Sequence, residues 1–256
     1  MGEGGNIGVS VGDDGVFMID DQFAPLTEKI KASIVTLSDK PIKFLINTHW
    51  HFDHTGGNEN LGNEGVIIVA HDNVRERMSK DGFIAAFNLN VPAAAKVALP
   101  VITFNDTVTF HFNGQTIESL HVGNAHTDGD SIIFFKTANV IHMGDTFFNG
   151  IYPFMDASSD SSIEGMIRAA RRVLNIIDNE TKIIPGHGPL GNKADLNNFL
   201  NMLIAVKNTM QDLIGQGKTI EEIIALNPNA ELDKTWGNGF LNPETFLRVL
   251  HSVMPK

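Results

Sequence analysis

Cysteine is absent from all 256 residues, which excludes disulfides, thiolate metal ligands and a cysteine nucleophile. A chain without thiols is compatible with oxidising and reducing compartments alike, so the redox setting stays open. Basic residues are scarce: 19 Lys and Arg stand against 30 Asp and Glu, a formal net charge of −11. With no Lys/Arg stripe to offset it, such a surface repels phosphates, and nucleic acid is not an expected partner. No apolar run approaches the roughly 18 residues of a membrane span, so no membrane partner is expected and the chain reads as soluble. Nor does the chain start with a charged segment followed by an apolar one, as a secretory leader would. It opens on "MGEGGNIGVSVGDDGVFMID", already strand-like. A removed leader would leave the same picture, which keeps a periplasmic or exported origin open.

What remains is an ordinary globular composition, 42% apolar and 19% charged, enough for a real core. "NIGVSVG" and "VFMID" read as strands around the Asp13-Asp14-Gly15 turn. Pro25 starts a helix reaching about Ser38, with Leu26, Ile30, Ile34 and Leu37 on one face. "IKFLIN" and "GVIIVA" are apolar strands. Between Met78 and Pro100 the pattern becomes apolar but aperiodic, which suits either a substrate wall or lid or a packed connector. "TVTFHFN" and "QTIESLHV" form a hairpin around Asn113-Gly114, followed by the strands "SIIFFK" and "NVIHMGD". Ser161 and Glu164 are spaced as a capping box for a helix to about Asp178, whose apolar face holds Ile163, Met166, Ile167, Ala170, Val173 and Leu174. "KIIP" is a further strand. Helices follow over Ala194–Ile214, from Thr219, and over Pro243–Met254. No repeat or linker divides the chain, so one domain over residues 1–256 is expected. Two groups of strands, each with helices beside it, predict an α/β fold of two sheets packed face to face with helices outside.

The stretch Asn47–Asn58, "NTHWHFDHTGGN", packs three histidines and an aspartate into six residues. The apolar strand before it leads into an extended segment, where alternate side chains point the same way. His49, His51 and Asp53 then share one side, and His54 reaches a neighbouring point after a turn. Imidazole and carboxylate suit zinc, and also iron or manganese. One zinc rarely needs more than four protein ligands, so further donors are expected at other strand ends. His126 in "NAHTDGD", Asp145 in "IHMGDTFF" and His187 in "IIPGHGPLG" stand at such junctions, each near glycine, where backbone approaches a site closely.

With these motifs, HWHFDH at His49–His54 and then His126, Asp145 and His187, the chain resembles the metallo-β-lactamase superfamily over nearly its whole length. The resemblance implies a four-layer αββα sandwich of two mixed sheets, with metals between the sheets at one edge. It implies a first metal on His49, His51 and His126, a second on Asp53, His54 and His187, and Asp145 bridging both. Two zinc ions are expected, with iron or manganese as alternatives. Two divalent ions about 3.5–4 Å apart can share a water and supply hydroxide at neutral pH. The expected reaction is hydrolysis of a carbonyl compound, with Asp53 as the catalytic residue that orients the nucleophile or carries its proton.

Asp145 departs from the true β-lactamases of this superfamily, which resemble one another in carrying Cys or Ser there; the set looks more like glyoxalase II and the lactonases. The basic cluster that glyoxalase II would use for a glutathione carboxylate is not found near Asp145. "TFFNGIYPF" is aromatic and uncharged. A small-molecule ester, thioester, lactone or amide with an apolar body is expected, β-lactams included. Phe147, Phe148, Tyr152 and Phe154 are candidate wall residues, with core packing expected for at least two of them, and Trp50 suits either role. Family members usually have another strand or two before "NIGVSVG", so part of a natural N-terminus is expected to be missing.

"GHGPLG" at Gly186–Gly191 matches a dinucleotide-binding pattern, but a helical stretch follows where a second parallel strand would be needed. The rival from another class is a mononuclear non-haem iron dioxygenase of the same fold, acting on a persulfide. Diiron flavoproteins show Glu where His51 stands and carry a flavodoxin domain, and neither is present. A non-catalytic binding protein would usually have lost a ligand. His71, His111, His121, His142 and His251 read as structural, with His121 and His142 near enough to the site to support its ligands. Oligomeric state and the particular substrate do not follow from the sequence.

Overall fold

The structure is a computed structural model and describes residues 4–254. The first sheet contains β1 (Gly8–Gly12), β2 (Gly15–Ile19), β3 (Ile42–Ile46), β4 (Ile67–His71) and, beyond the small hairpin β5 (Gly82–Ile84) and β6 (Leu89–Val91), β7 (Ile102–Phe104). β1 and β2 pair antiparallel, with Gly8 opposite Ile19, and the remaining neighbours run parallel in the order β1-β2-β3-β4-β7. The second sheet contains β8 (Thr107–Phe112), β9 (Gln115–His121), β10 (Ser131–Phe135), β11 (Val140–His142) and β12 (Lys182–Ile184). Its order is β12-β11-β10-β9-β8, antiparallel except for β11 and β12.

Strand alternation builds the layers. Phe17, Ile19, Ile46 and Val69 of the first sheet meet Ile117, Ile133 and Phe135 of the second in one apolar cluster. Their sequence neighbours Val16, Met18, Leu45 and Ile68 face the other way, onto Ile34 and Leu61. These belong to α1 (Thr27–Val35) and, beyond the short α2 (Phe52–Thr55), to α3 (Asn58–Asn63). On the far side, Ile132 and Ile141 join a larger cluster with residues of α5, α6 and α9. After α4 (Asp72–Met78), those helices are α5 (Ile163–Ile176) and α6 (Lys193–Gly215), then α7 (Ile220–Leu226), α8 (Ala230–Trp236) and α9 (Pro243–Ser252). Period-two patterning with both faces apolar thus produces two mixed sheets sandwiched by helices, the expected α/β arrangement.

Some local expectations needed correction. α5 is capped by Ser162, whose side chain accepts from the Gly165 N–H, so the Ser161–Glu164 box does not form. Pro25 lies in a short 3₁₀ turn, Ala24–Leu26, and α1 ends at Val35, leaving Leu37 64% exposed instead of on a buried face. The aperiodic stretch after Met78 contains the β5–β6 hairpin, with Asn88 at φ 49° in its turn. Among the described residues no helix is long and apolar enough to cross a membrane.

Candidate metal centre

The seven expected donors converge. His49, His51, Asp53 and His54 follow β3, with Phe52–Thr55 forming the one-turn α2. His126 precedes β10, Asp145 lies in the 3₁₀ turn Gly144–Thr146 after β11, and His187 lies after β12. Three groups of donor atoms each lie within 4.8 Å of one another: His49, His51 and His126; Asp53, His54 and His187; and His49, His54 and Asp145. Asp145 stands between the first two. Its Oδ2 is 3.4 Å from Nε2 of both His126 and His187, and its Oδ1 is 3.1 Å from His54 Nε2. Gly186 is required here, because a Cβ would collide with Asp145 Oδ1 and the Gly144 backbone.

Hydrogen bonds on the far side of each ring decide which nitrogen faces the cluster. His54 Nδ1 donates to Asp20 Oδ2 at 2.8 Å, His51 Nε2 to Asp156 Oδ2 at 3.2 Å, and His126 Nδ1 to the Phe154 carbonyl at 2.8 Å. Thr48 Oγ1 donates to Asp20 Oδ2 at 2.7 Å and is left to accept from His49 Nδ1 at 3.0 Å. His49 Nε2, His51 Nδ1, His54 Nε2 and His126 Nε2 are therefore the nitrogens that face inward. His51 Nδ1 and His126 Nε2 are only 2.9 Å apart, a contact that needs a proton or a metal ion to bind both. His49 Nε2 is buried with no hydrogen-bond partner among the described residues. An orphaned acceptor facing other lone pairs and carboxylates is the donor chemistry a cation satisfies.

Titration behaviour agrees. Burial lowers His49 well below the usual imidazole value and His126 to about 4. Burial also opposes charge on His187 and His54, but the neighbouring carboxylates, Asp145 foremost, win and raise His187 to about 9 and His54 well above its ordinary value. Burial would favour neutral Asp145; the imidazoles of His187, His54, His126 and His49 outweigh that and hold it well below the usual range. The contribution of charged His187 to metal-free stability is whole below an ordinary imidazole pKa and is lost as pH rises through about 9. A metal ion has to displace that proton. Zinc binding at pH 7 is therefore expected to release protons, and affinity to rise with pH up to about 9. Calorimetry in two buffers of different ionisation enthalpy reads this; zero proton release would contradict the raised His187.

The N-terminal segment ties the site loops together. Gly5 N–H donates to the Asp53 carbonyl, Asn6 N–H to the Gly186 carbonyl, and Asn6 Nδ2 to the Pro185 and Gly188 carbonyls. His142 is a support of this kind, with its Nε2 on the Asn6 carbonyl and its Nδ1 accepting from Gly144 N–H. His121 instead stacks on His71, ring centroids 3.8 Å apart, and bonds the Asp130 carbonyl. Asp20, Thr48 and Asp156 were missed in the sequence reading. Asp20 had a signal, an acid directly after an apolar strand, whereas nothing local marks Asp156.

A cavity of about 540 Å³ opens over the cluster, with His51, Asp53, Asp145 and His187 on its floor and Phe23, Phe52, Ile84, Phe87, Phe154 and Phe240 around it. The expected wall needs correction. Tyr152 is fully buried, stacked on Phe246 and donating to Asp233, and Phe147 is fully buried against Phe199. Trp50 is buried with its indole N–H on Ser159, and Phe148 lies buried flat against His187. Of the five candidates only Phe154 reaches the cavity. A second cavity of about 610 Å³, between α6, α8 and the Asn149–Gly150 turn, has Asp195 as its single ionisable group among the described residues, already used in capping α6.

A family profile described as the metallo-beta-lactamase superfamily matches residues 2–189. The chain belongs to the metallo-beta-lactamase superfamily. Structures of other superfamily proteins share the fold: a metallo-beta-lactamase from Pontibacter korlensis superposes with a TM-score of 0.62 at 24% identity, covering 76% of this chain and 85% of that one. The DIM-1 metallo-beta-lactamase gives 0.61 at 20% identity, covering 77% and 86%. Among curated relatives, the alpha subunit of a 2,4-dinitroanisole O-demethylase from Nocardioides sp. (strain JS1661) is 26% identical over 181 residues, 69% of this chain and 50% of that protein. The type 2 metallo-beta-lactamase of Bacillus cereus is 19% identical over 190 residues, 74% of this chain and 69% of that one. This superfamily member thus spans half the length of the demethylase subunit it matches.

Proposed function

We propose that the chain is a metal-dependent hydrolase that cleaves an ester, thioester, lactone or amide bond in a small molecule with an apolar body. The observation that carries this reading is the pair of three-donor sets meeting at Asp145 beneath an apolar cavity. His49 Nε2, His51 Nδ1 and His126 Nε2 would hold one divalent ion, Asp53, His54 Nε2 and His187 Nε2 a second, and Asp145 would reach both. Zinc fits these donors best; iron or manganese also suits imidazole and carboxylate. Two such ions would supply Lewis acidity and a nucleophile from water at neutral pH.

The chain's own residues do the rest. Asp53 keeps its side chain 20% exposed on the cavity floor, 3.2 Å from His187 Nε2, where it orients a water and takes its proton. The aromatic walls seat the apolar body and exclude bulk water from the floor. The names of the two curated relatives span ether and lactam chemistry, which supports bond cleavage and leaves the bond open.

A chelator is expected to abolish turnover, and added zinc to restore it. Asp53→Ala is expected to lower kcat by on the order of a hundred-fold or more, the usual worth of a positioned acid–base group, with a smaller loss of bound metal. Steady-state rates beside metal analysis check this, and unchanged turnover would remove Asp53 from the proton path. Iron content with a visible absorption band, and no esterase activity, would contradict the hydrolytic reading.

A further inference from the structure

We propose that the cavity above the donor cluster is an aromatic cage selective for uncharged, planar aromatic substrates and set against substrates bearing a carboxylate. The inference rests on the hydrolase reading of this site and adds the substrate class to it.

Five phenylalanines from five separate segments form the cage: Phe23 before the Ala24–Leu26 turn, Phe52 beside the donors on α2, Phe87 in the β5–β6 turn, Phe154 after β11, and Phe240 between α8 and α9. Phe52, Phe87 and Phe240 are 40%, 45% and 55% exposed, so the fold leaves each ring partly without an apolar partner. Single exposed aromatics are unremarkable; several converging on one floor of ligand-type residues mark a binding surface. Their rings touch both ends of the floor. Phe154 lies 5.9 Å from the His51 ring and 5.7 Å from the His126 ring, edge-on to the latter. Phe240 lies 6.1 Å from His187, and Phe87 packs on Phe154 at 4.8 Å. A flat ring slotted among these faces gains offset and edge-to-face contacts that a puckered ring of equal size does not.

Charge sets the second half of the specificity. Among the described residues, the ionisable groups lining the cavity are Asp53, Asp145, His51 and His187, with no lysine or arginine. A substrate carboxylate would meet two carboxylates and, for a cation, only the hydrolytic centre itself. With only these carboxylates beside its reactive position, an acid of that kind is bound more weakly there than its neutral counterpart.

The test uses the zinc-loaded full chain with phenyl acetate and 4-acetoxybenzoate, which share a phenol-type leaving group, and with benzyl acetate against cyclohexylmethyl acetate. Phenyl acetate is expected to exceed 4-acetoxybenzoate in kcat/KM by on the order of ten- to a hundred-fold, the reach of one pocket contact, with most of the effect in KM. Benzyl acetate is expected to exceed its saturated counterpart. Phe87→Ala and Phe240→Ala should each raise KM for the aromatic esters about ten-fold, while Leu226→Ala, a surface change away from the cavity, should not. Nitrocefin, which carries a carboxylate, is expected to be a poor substrate. Binding of acetophenone, a neutral aromatic that cannot be hydrolysed, is read in parallel by saturation-transfer NMR and should weaken in both Phe variants. Equal handling of the carboxylated ester, or Phe variants with unchanged KM and unchanged acetophenone binding, would overturn the cage. Phe-dependent acetophenone binding without turnover of any aromatic ester, thioester, lactone or amide would uphold the cage and overturn the hydrolase reading. Ester turnover without aromatic preference would do the reverse.

Discussion

Asp145→Asn is expected to give a folded protein that holds less than its full metal complement and has lost activity by on the order of a hundred-fold or more, since loss of a residue that only supports a ligand already costs about 10–100-fold. The argument is geometric. Asp145 is the carboxylate whose two oxygens lie within 3.4 Å of imidazole nitrogens from both donor sets. Asparagine keeps the shape and the close packing against Gly186 but removes the charge that faces four imidazoles. In the metal-free protein that charge also holds protons on His187 and His54. The variant should therefore bind zinc with less proton release as well as less affinity. Metal content after dialysis, read beside kcat, checks both; a variant with two tightly held ions and near-normal kcat would refute the central role given to Asp145.

Asp20→Ala is expected to damage stability and metal binding together. The buried Asp20 carboxylate accepts from Thr48 N–H at 2.7 Å, Thr48 Oγ1 at 2.7 Å and His54 Nδ1 at 2.8 Å. Thr48 Oγ1 in turn accepts from His49 Nδ1, so one carboxylate orients a ring from each donor set. Alanine would strand these buried donors at roughly 1–3 kcal/mol each before relaxation. A loss of about 3–5 kcal/mol is expected once neighbours adjust, with zinc affinity down about 10–100-fold. Asp20 also sits at φ 58°, a left-handed conformation that asparagine tolerates and alanine resists. Asp20→Asn separates the two effects: it should recover much of the stability while leaving affinity impaired. Chemical denaturation and competitive zinc titration of both variants read this. If Asp20→Asn bound zinc as tightly as the parent, orientation of the rings by Asp20 would be excluded.

The donors were legible in the sequence because their signals are local. His49 to His54 are adjacent, and His126, Asp145 and His187 each stand at the end of an apolar strand. The layers were legible for a similar reason: "VFMI" and "IIFF" are unbroken apolar runs, the pattern of strands covered on both faces. The supporting acids were not, because Asp156 meets His51 only through the fold, across 105 positions. The substrate wall misled for a physical reason. "FFNGIY" follows Asp145 closely in sequence, but Phe147 and Tyr152 turn toward α6 and α9 to complete the core. Phe87 and Phe240, far from any motif, take the wall instead. Proximity along the chain located the donor cluster, where backbone delivers side chains directly, and failed for cavity walls, which distant loops assemble.

The most direct test of two cations on these seven side chains is the metal stoichiometry of protein loaded with zinc and then desalted, measured by elemental analysis and located by anomalous scattering in a crystal. Two zinc ions per chain are expected, one on His49, His51 and His126, the other on Asp53, His54 and His187, with Asp145 touching both. Zinc bound elsewhere, or a chain that retains none while its fold is intact, would contradict the account.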